Sequence, residues 1–186
     1  GDVHLKLTFF ADRAGLGGQT PLMQTIFSPL AQAKNLAGND LLLAHLRLYP
    51  EAVSRGLATI AESTRRFVEA CFATGVDGVF FAVQHAQASL LSREEYKTFG
   101  LPFDLQALEP AREGWCNLLH LHGHDVYFEV ANDLPCPIVN WHDRETVPSL
   151  AEAESLFTRV RCGGIRQDTL VFGDQTEVRN EAADAI

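Results

Sequence analysis

Two histidines, His120 and His122, close the apolar run 116–121 and are followed at once by Gly123. In an extended chain alternate side chains share a face, so both imidazoles point the same way, as two ligands of one metal ion must. The pair can equally serve as hydrogen-bonded structural or substrate-binding histidines, because a zinc site needs a third protein ligand that this spacing does not supply. A second cluster, Asn140-Trp141-His142-Asp143-Arg144, ends the stretch 137–141 with an aromatic face, an imidazole, a carboxylate and a guanidinium in one turn. Such a mix suits acid–base work by His142 and Asp143, with Asn140 and Trp141 holding substrate. The alternative is a loop whose Asn and Asp satisfy the backbone while Trp141 covers a rim. Gln84 and His85 close a third apolar run and are assigned to substrate binding. A serine nucleophile is not indicated, since no G-x-S-x-G elbow is present.

What must position these groups is a set of strands with polar carboxyl ends. Strands are predicted at 22–27, 78–83, 116–121, 137–141 and 169–172, each an apolar or β-branched run bounded by glycine, proline or polar residues. Helices alternate with them. The firmest begins at Pro50 and ends before Gly75, with Leu57, Ile60, Ala61, Thr64, Phe67, Val68 and Cys71 on one stripe and Glu62, Arg65, Arg66 and Glu69 on the other side. Ser92 with Glu95 and Ser149 with Glu152 read as capping boxes, opening helices at 93–99 and 150–160. Further helices are expected over 30–36, 41–48, 103–113, 125–131 and 176–186. Five strand–helix alternations without a hairpin signal demand a parallel sheet. No G-x-G-x-x-G turn favours a dinucleotide fold, so the pattern fits a (β/α)8 TIM barrel, here about five of its eight units. The loops after the strands then hold the site, which adds Ser28, His124, Asp174 and Gln175 to the polar residues at that end. Residues 1–186 read as one partial-barrel domain, with 1–20 an uncertain lead-in of helix end and loop.

Composition narrows the functional classes. A chain of 186 residues that is 46% hydrophobic can bury a real core. With 24 acidic against 15 basic residues the formal charge is −9, and no basic cluster exceeds Arg65-Arg66, so a nucleic-acid partner is not expected. No apolar run reaches the ~20 residues of a membrane span, and the start lacks a signal-peptide pattern; the reading is a cytoplasmic protein. The four cysteines have no CxxC spacing and read as reduced thiols.

The order of certain segments resembles the uroporphyrinogen decarboxylase family. They are Gly75-Val76-Asp77-Gly78-Val79-Phe80-Phe81, then His85-Ala86, Leu91-Ser92 and Tyr96-Lys97-Thr98-Phe99-Gly100-Leu101-Pro102-Phe103, and finally His120-Leu121-His122-Gly123 and Val139-Asn140-Trp141. The likeness spans about 21–186 and implies a (β/α)8 barrel. It implies either of two activities: decarboxylation of tetrapyrrole acetate side chains without a cofactor, as a lyase of porphyrin biosynthesis, or zinc-dependent methyl transfer from a corrinoid protein to a thiol. A non-catalytic relative that keeps the barrel pocket is a third reading.

The resemblance places the decarboxylase family's arginine-rich segment and functional Asp before residue 1. Its Tyr falls near Lys34 and its Ser on Gln84. In the methyltransferase branch two zinc ligands of a His-x-Cys-Gly turn fall on His120 and His122, and a third, a Cys, falls beyond Ile186. The partners implied are a small tetrapyrrole or a corrinoid protein. Five parallel strands cannot close a barrel, so the chain is also expected to associate with itself through its open edge or to pack loosely as a monomer.

Overall fold

The computed structural model describes residues 20–185, and the lead-in reading of 1–19 lies outside the described residues. Five strands form one sheet in sequential order: β1 (Met23–Phe27), β2 (Gly78–Val83), β3 (Leu118–Leu121), β4 (Ile138–Trp141) and β5 (Val160–Cys162). Every neighbouring pair is parallel. A strand order with no reversal is that of a barrel wall, whereas a doubly wound sheet reverses at a switch point. The fold is α/β, as the sequence predicts.

The helices are α1 (Pro29–Ala37), α2 (Asn39–Leu48), α3 (Pro50–Phe72), α4 (Arg93–Phe99), α5 (Leu101–Ala107), α6 (Val130–Asp133), α7 (Gln167–Phe172) and α8 (Gln175–Asp184). On α3 the buried stripe is Leu57, Ala61, Thr64, Val68 and Cys71, while Ile60 and Phe67 lie at its margin. Glu62 on the wet side accepts hydrogen bonds from Arg65 and Arg66. The Ser92–Glu95 capping box forms and opens α4.

Strand alternation divides the sheet into two faces. Val79, Phe81 and Val83 of β2, Leu119 and Leu121 of β3, and Val139 and Trp141 of β4 are all buried in the hydrophobic core on the outer, helix-covered face. Each such side chain contributes ~1.5–3 kcal/mol when taken from water. The other face carries Phe80, Ala82, His120 and Asn140, and it would line the barrel interior. β2 and β3 approach closely at their starts: a Cβ on Gly78 would lie 2.2 Å from the Cys116 carbonyl oxygen, so only glycine fits there.

Four predicted elements change. The run 169–172 is helix α7 and not a strand; Leu170, Val171 and Phe172 are exposed, so no packed pleat rewards their β-forming side chains. The fifth strand is instead Val160–Cys162, which begins at the last residue of the helix expected from the capping box. Ser149 and Glu152 do exchange their capping hydrogen bonds, at 2.8 Å from the Ser149 amide to Glu152 Oε2, yet they open only a 3-10 turn, Glu152–Ser155. The expected helix over 125–131 shrinks to α6, because Gly123 and Asp125 both adopt positive φ and Val126 bridges to Gln87. Finally, the helix expected to reach 113 stops at Ala107, as Pro110 allows only the 3-10 turn Glu109–Ala111.

Candidate metal centre

The strand register builds the site in two layers. His120 on β3 pairs with Ala82 on β2 and Asn140 on β4, and Asn140 pairs in turn with Cys162 on β5. Two residues further along each strand, Gln84, His122 and His142 continue on the same inner face at the carboxyl ends. His142 therefore stands beside His122 for the reason that Asn140 stands beside His120. The two predicted histidines do share a face, with ring centroids 5.7 Å apart, and His142 lies 5.0 Å from His122 and 5.4 Å from His120.

One nitrogen from each of the three rings lies within 4.8 Å of the other two. Among the described residues this is the one group of His, Cys, Asp or Glu side chains with that closeness. His122 Nδ1 and His142 Nε2 are 3.2 Å apart. A tetrahedral zinc site with Zn–N bonds of ~2.0–2.1 Å has ligand atoms ~3.3 Å apart, so this pair already has the spacing of one edge. Burial holds the pKa of both His120 and His122 below the usual imidazole value, and the neighbouring imidazoles press in the same direction. Neutral rings keep lone pairs for a cation. His120 Nδ1 is 2.6 Å from Asn140 Oδ1, and the ring stacks on Phe80 at 5.3 Å. The residues present fit a zinc-type ion with three protein ligands and an open position.

The other predicted site residues take different places. Asp143 has a nearly buried carboxylate: Oδ1 accepts from the Gly164 amide at 3.0 Å and Oδ2 lies 3.4 Å from Arg144 Nε, so it ties the β4 loop to the β5 loop. Trp141 lies at the carboxyl end of β4, but alternation turns its ring to the outer face. There it is 2% exposed, donates to the Pro148 carbonyl at 2.8 Å and packs edge-on against Phe128 and Phe157. It belongs to the core, not to a substrate surface. His85 alternates outward too and is wholly buried, with no partner for either ring nitrogen among the described residues; burial, helped by the Lys34 charge, pushes its pKa down to about 4.

Gln84 stays on the inner face, where its Oε1 accepts from Lys34 Nζ at 2.5 Å. Ser28 caps α1, and Asp174 caps α8 with Gln175 as its first residue, so these three serve helix starts. His124 is exposed and stands outside the histidine group. A cleft of ≈ 190 Å³ opens beside His120, Asn140 and His142 and reaches Gly164 and Arg166.

Sequence reasoning missed two things. It gave His142 to acid–base work without placing it beside His122, where continuing the 120–140 register by two residues sets it. It also gave no site role to Lys34, which only the packing of α1 brings to the strand ends beside Gln84.

The family profile of uroporphyrinogen decarboxylase (URO-D) matches residues 11–186. The chain belongs to the uroporphyrinogen decarboxylase family. Family members fold as (β/α)8 barrels, and the five parallel strands described above are consecutive units of one. Among solved structures, a methyltransferase from Methanosarcina mazei superposes with a TM-score of 0.83 at 16% identity. The match covers 98% of this chain and 54% of that one, so the chain spans about half the length of its structural relative. At that identity the likeness speaks for the fold alone. No curated protein matches the sequence. No described helix is long and apolar enough to cross a membrane.

Proposed function

We propose that this member of the uroporphyrinogen decarboxylase family is a metal-dependent methyltransferase that moves a methyl group from a corrinoid protein to a thiol, in the cytoplasm. The observation that carries this reading is the trio His120, His122 and His142, whose nitrogens gather within 4.8 Å at the carboxyl end of the sheet. In this reading the three imidazoles hold a zinc-type ion. When bound, such an ion lowers the pKa of a coordinated thiol so that a thiolate is available as methyl acceptor near neutral pH.

The chain's own residues supply the surroundings. Phe80 covers one face of the His120 ring and keeps water from it. Lys34, held by Gln84, adds a positive charge that acts on His122 and on any anion approaching the strand ends. The strand ends are open on this side, and ≈ 190 Å³ of cleft leaves room for a small acceptor.

The decarboxylase reading has less support. It needs groups that fix substrate carboxylates, and Lys34 with Gln84 stands where the resemblance expects Tyr and Ser. To test the proposal, zinc-loaded and chelator-stripped protein would be given methylcobalamin and a thiol under anaerobic conditions, following loss of the methyl–cobalt absorbance. Turnover that depends on metal and disappears in His122→Ala is expected. Turnover indifferent to both, or metal-free decarboxylation of uroporphyrinogen, would overturn it.

A further inference from the structure

Asn140 stands on the inner face between β3 and β5, and its side-chain amide is engaged at both ends. Nδ2 donates to the Cys162 carbonyl oxygen at 2.8 Å, and Oδ1 lies 2.6 Å from His120 Nδ1. These two contacts fix each other. A carbonyl oxygen can only accept, so the Asn140 edge facing Cys162 must be the NH2; turning the amide over would set two acceptors against each other at 2.8 Å. The edge facing His120 is then an acceptor, and a ring nitrogen 2.6 Å from it must carry the hydrogen. In the neutral ring the lone pair consequently resides on Nε2.

We propose that Asn140 is a positioning residue that locks His120 in its Nδ1–H tautomer and so dedicates Nε2 to the metal, with the backbone of β5 as the reference that orients the amide. The assignment rests on the metal-centre reading for its consequence but not for its geometry. It gives the three ligands distinct atoms: Nε2 of His120, and the mutually facing Nδ1 of His122 and Nε2 of His142. It also gives β5 a role. The Cys162 carbonyl, on the second strand over from β3, acts on the centre through one amide and one ring, in the manner of groups that orient metal-bound histidines from behind.

The test needs no turnover. In metal-free protein carrying 15N-labelled histidine, long-range 1H–15N correlation at a pH where the rings are neutral reports which nitrogen of His120 holds the proton. The Nδ1–H form is expected in the wild type. In Asn140→Leu the lock is gone, the Nε2–H form gains population, and affinity for Zn(II) falls about 10- to 100-fold. Asn140→Asp separates the two contacts: a carboxylate can still accept from Nδ1–H but has no hydrogen for the Cys162 carbonyl. It should keep the tautomer and most of the Zn(II) affinity.

A wild-type His120 in the Nε2–H form overturns the proposal. So does equal loss of Zn(II) affinity in both variants when Asn140→Asp keeps the Nδ1–H form, because Asn140 would then be only a strand tie. The expected tautomer in a wild type that takes up no Zn(II) or Co(II) defeats the metal reading and leaves the tautomer lock standing.

Discussion

The two faces of β4 carry neighbouring residues to opposite fates. Asn140 and His142 face inward and join the polar layers with His120 and His122; Val139 and Trp141 face outward, buried under the helices. All four lie within one short, chemically mixed stretch, and residue type alone makes Trp141 and His142 equal candidates for a site. What separates them is the period of two imposed by the pleat. A mutation on one face should therefore change stability, and on the other function.

The largest effect is expected for Trp141→Ala. Removing an indole that is 2% exposed and packed against Phe128 and Phe157 should cost ~3–5 kcal/mol of stability, read by chemical denaturation. Zinc affinity of the fraction that remains folded should not change. A loss of zinc binding without a loss of stability would erase the distinction between the faces.

The helix-covered side also sharpens the comparison through pH. Asp104 is buried there with its Oδ2 accepting from the Tyr96 hydroxyl at 2.5 Å, and burial raises its pKa to about 7, against the hydrogen bond's smaller lowering effect. Its folded pKa lies above the unfolded value of ~3.9, so between the two the folded state holds a proton that the unfolded state has lost. Stability from this group is full below about pH 4 and declines as pH rises towards 7. Relative to Asp104→Asn, the wild type should become less stable over that window by a few kcal/mol, measured as the difference between their melting curves at pH 4.5 and pH 8. A difference that stays constant would mean that Asp104 titrates normally.

The smallest effect belongs to α7. Phe172 is 84% exposed, and Phe172→Ser should alter the stability of this chain by no more than ~0.5 kcal/mol. A large loss would show that the run 169–172 packs as the strand its composition suggests.

Much of the barrel wall was legible in the sequence because β1 to β4 are apolar runs punctuated by glycine and proline, and α3 has an unbroken stripe. β5 was not. Val160-Arg161-Cys162 has only three residues, a charge at its centre and a true capping box upstream that drew a helix as far as Val160, so no strand pattern stood out there. The nearby Thr-Leu-Val-Phe run drew the strand assignment to itself on propensity alone. In the site, the shared face of His120 and His122 followed from spacing. The place of His142 beside that pair did not, since it depends on which β3 residue stands opposite Asn140, a register that no local pattern fixes. Lys34 and the burial of His85 depend on helix packing and leave no mark in the local sequence.

In the proposed metal centre the ends of β3 and β4 act together, with His142 as a ligand and not an isolated acid–base group. Zinc per chain after equilibrium dialysis, compared between the wild type and His142→Ala with both shown to be folded, tests this most directly. One zinc per wild-type chain and a clear loss of stoichiometric binding in His142→Ala are expected. No zinc in the wild type, or full occupancy retained by His142→Ala, would contradict it.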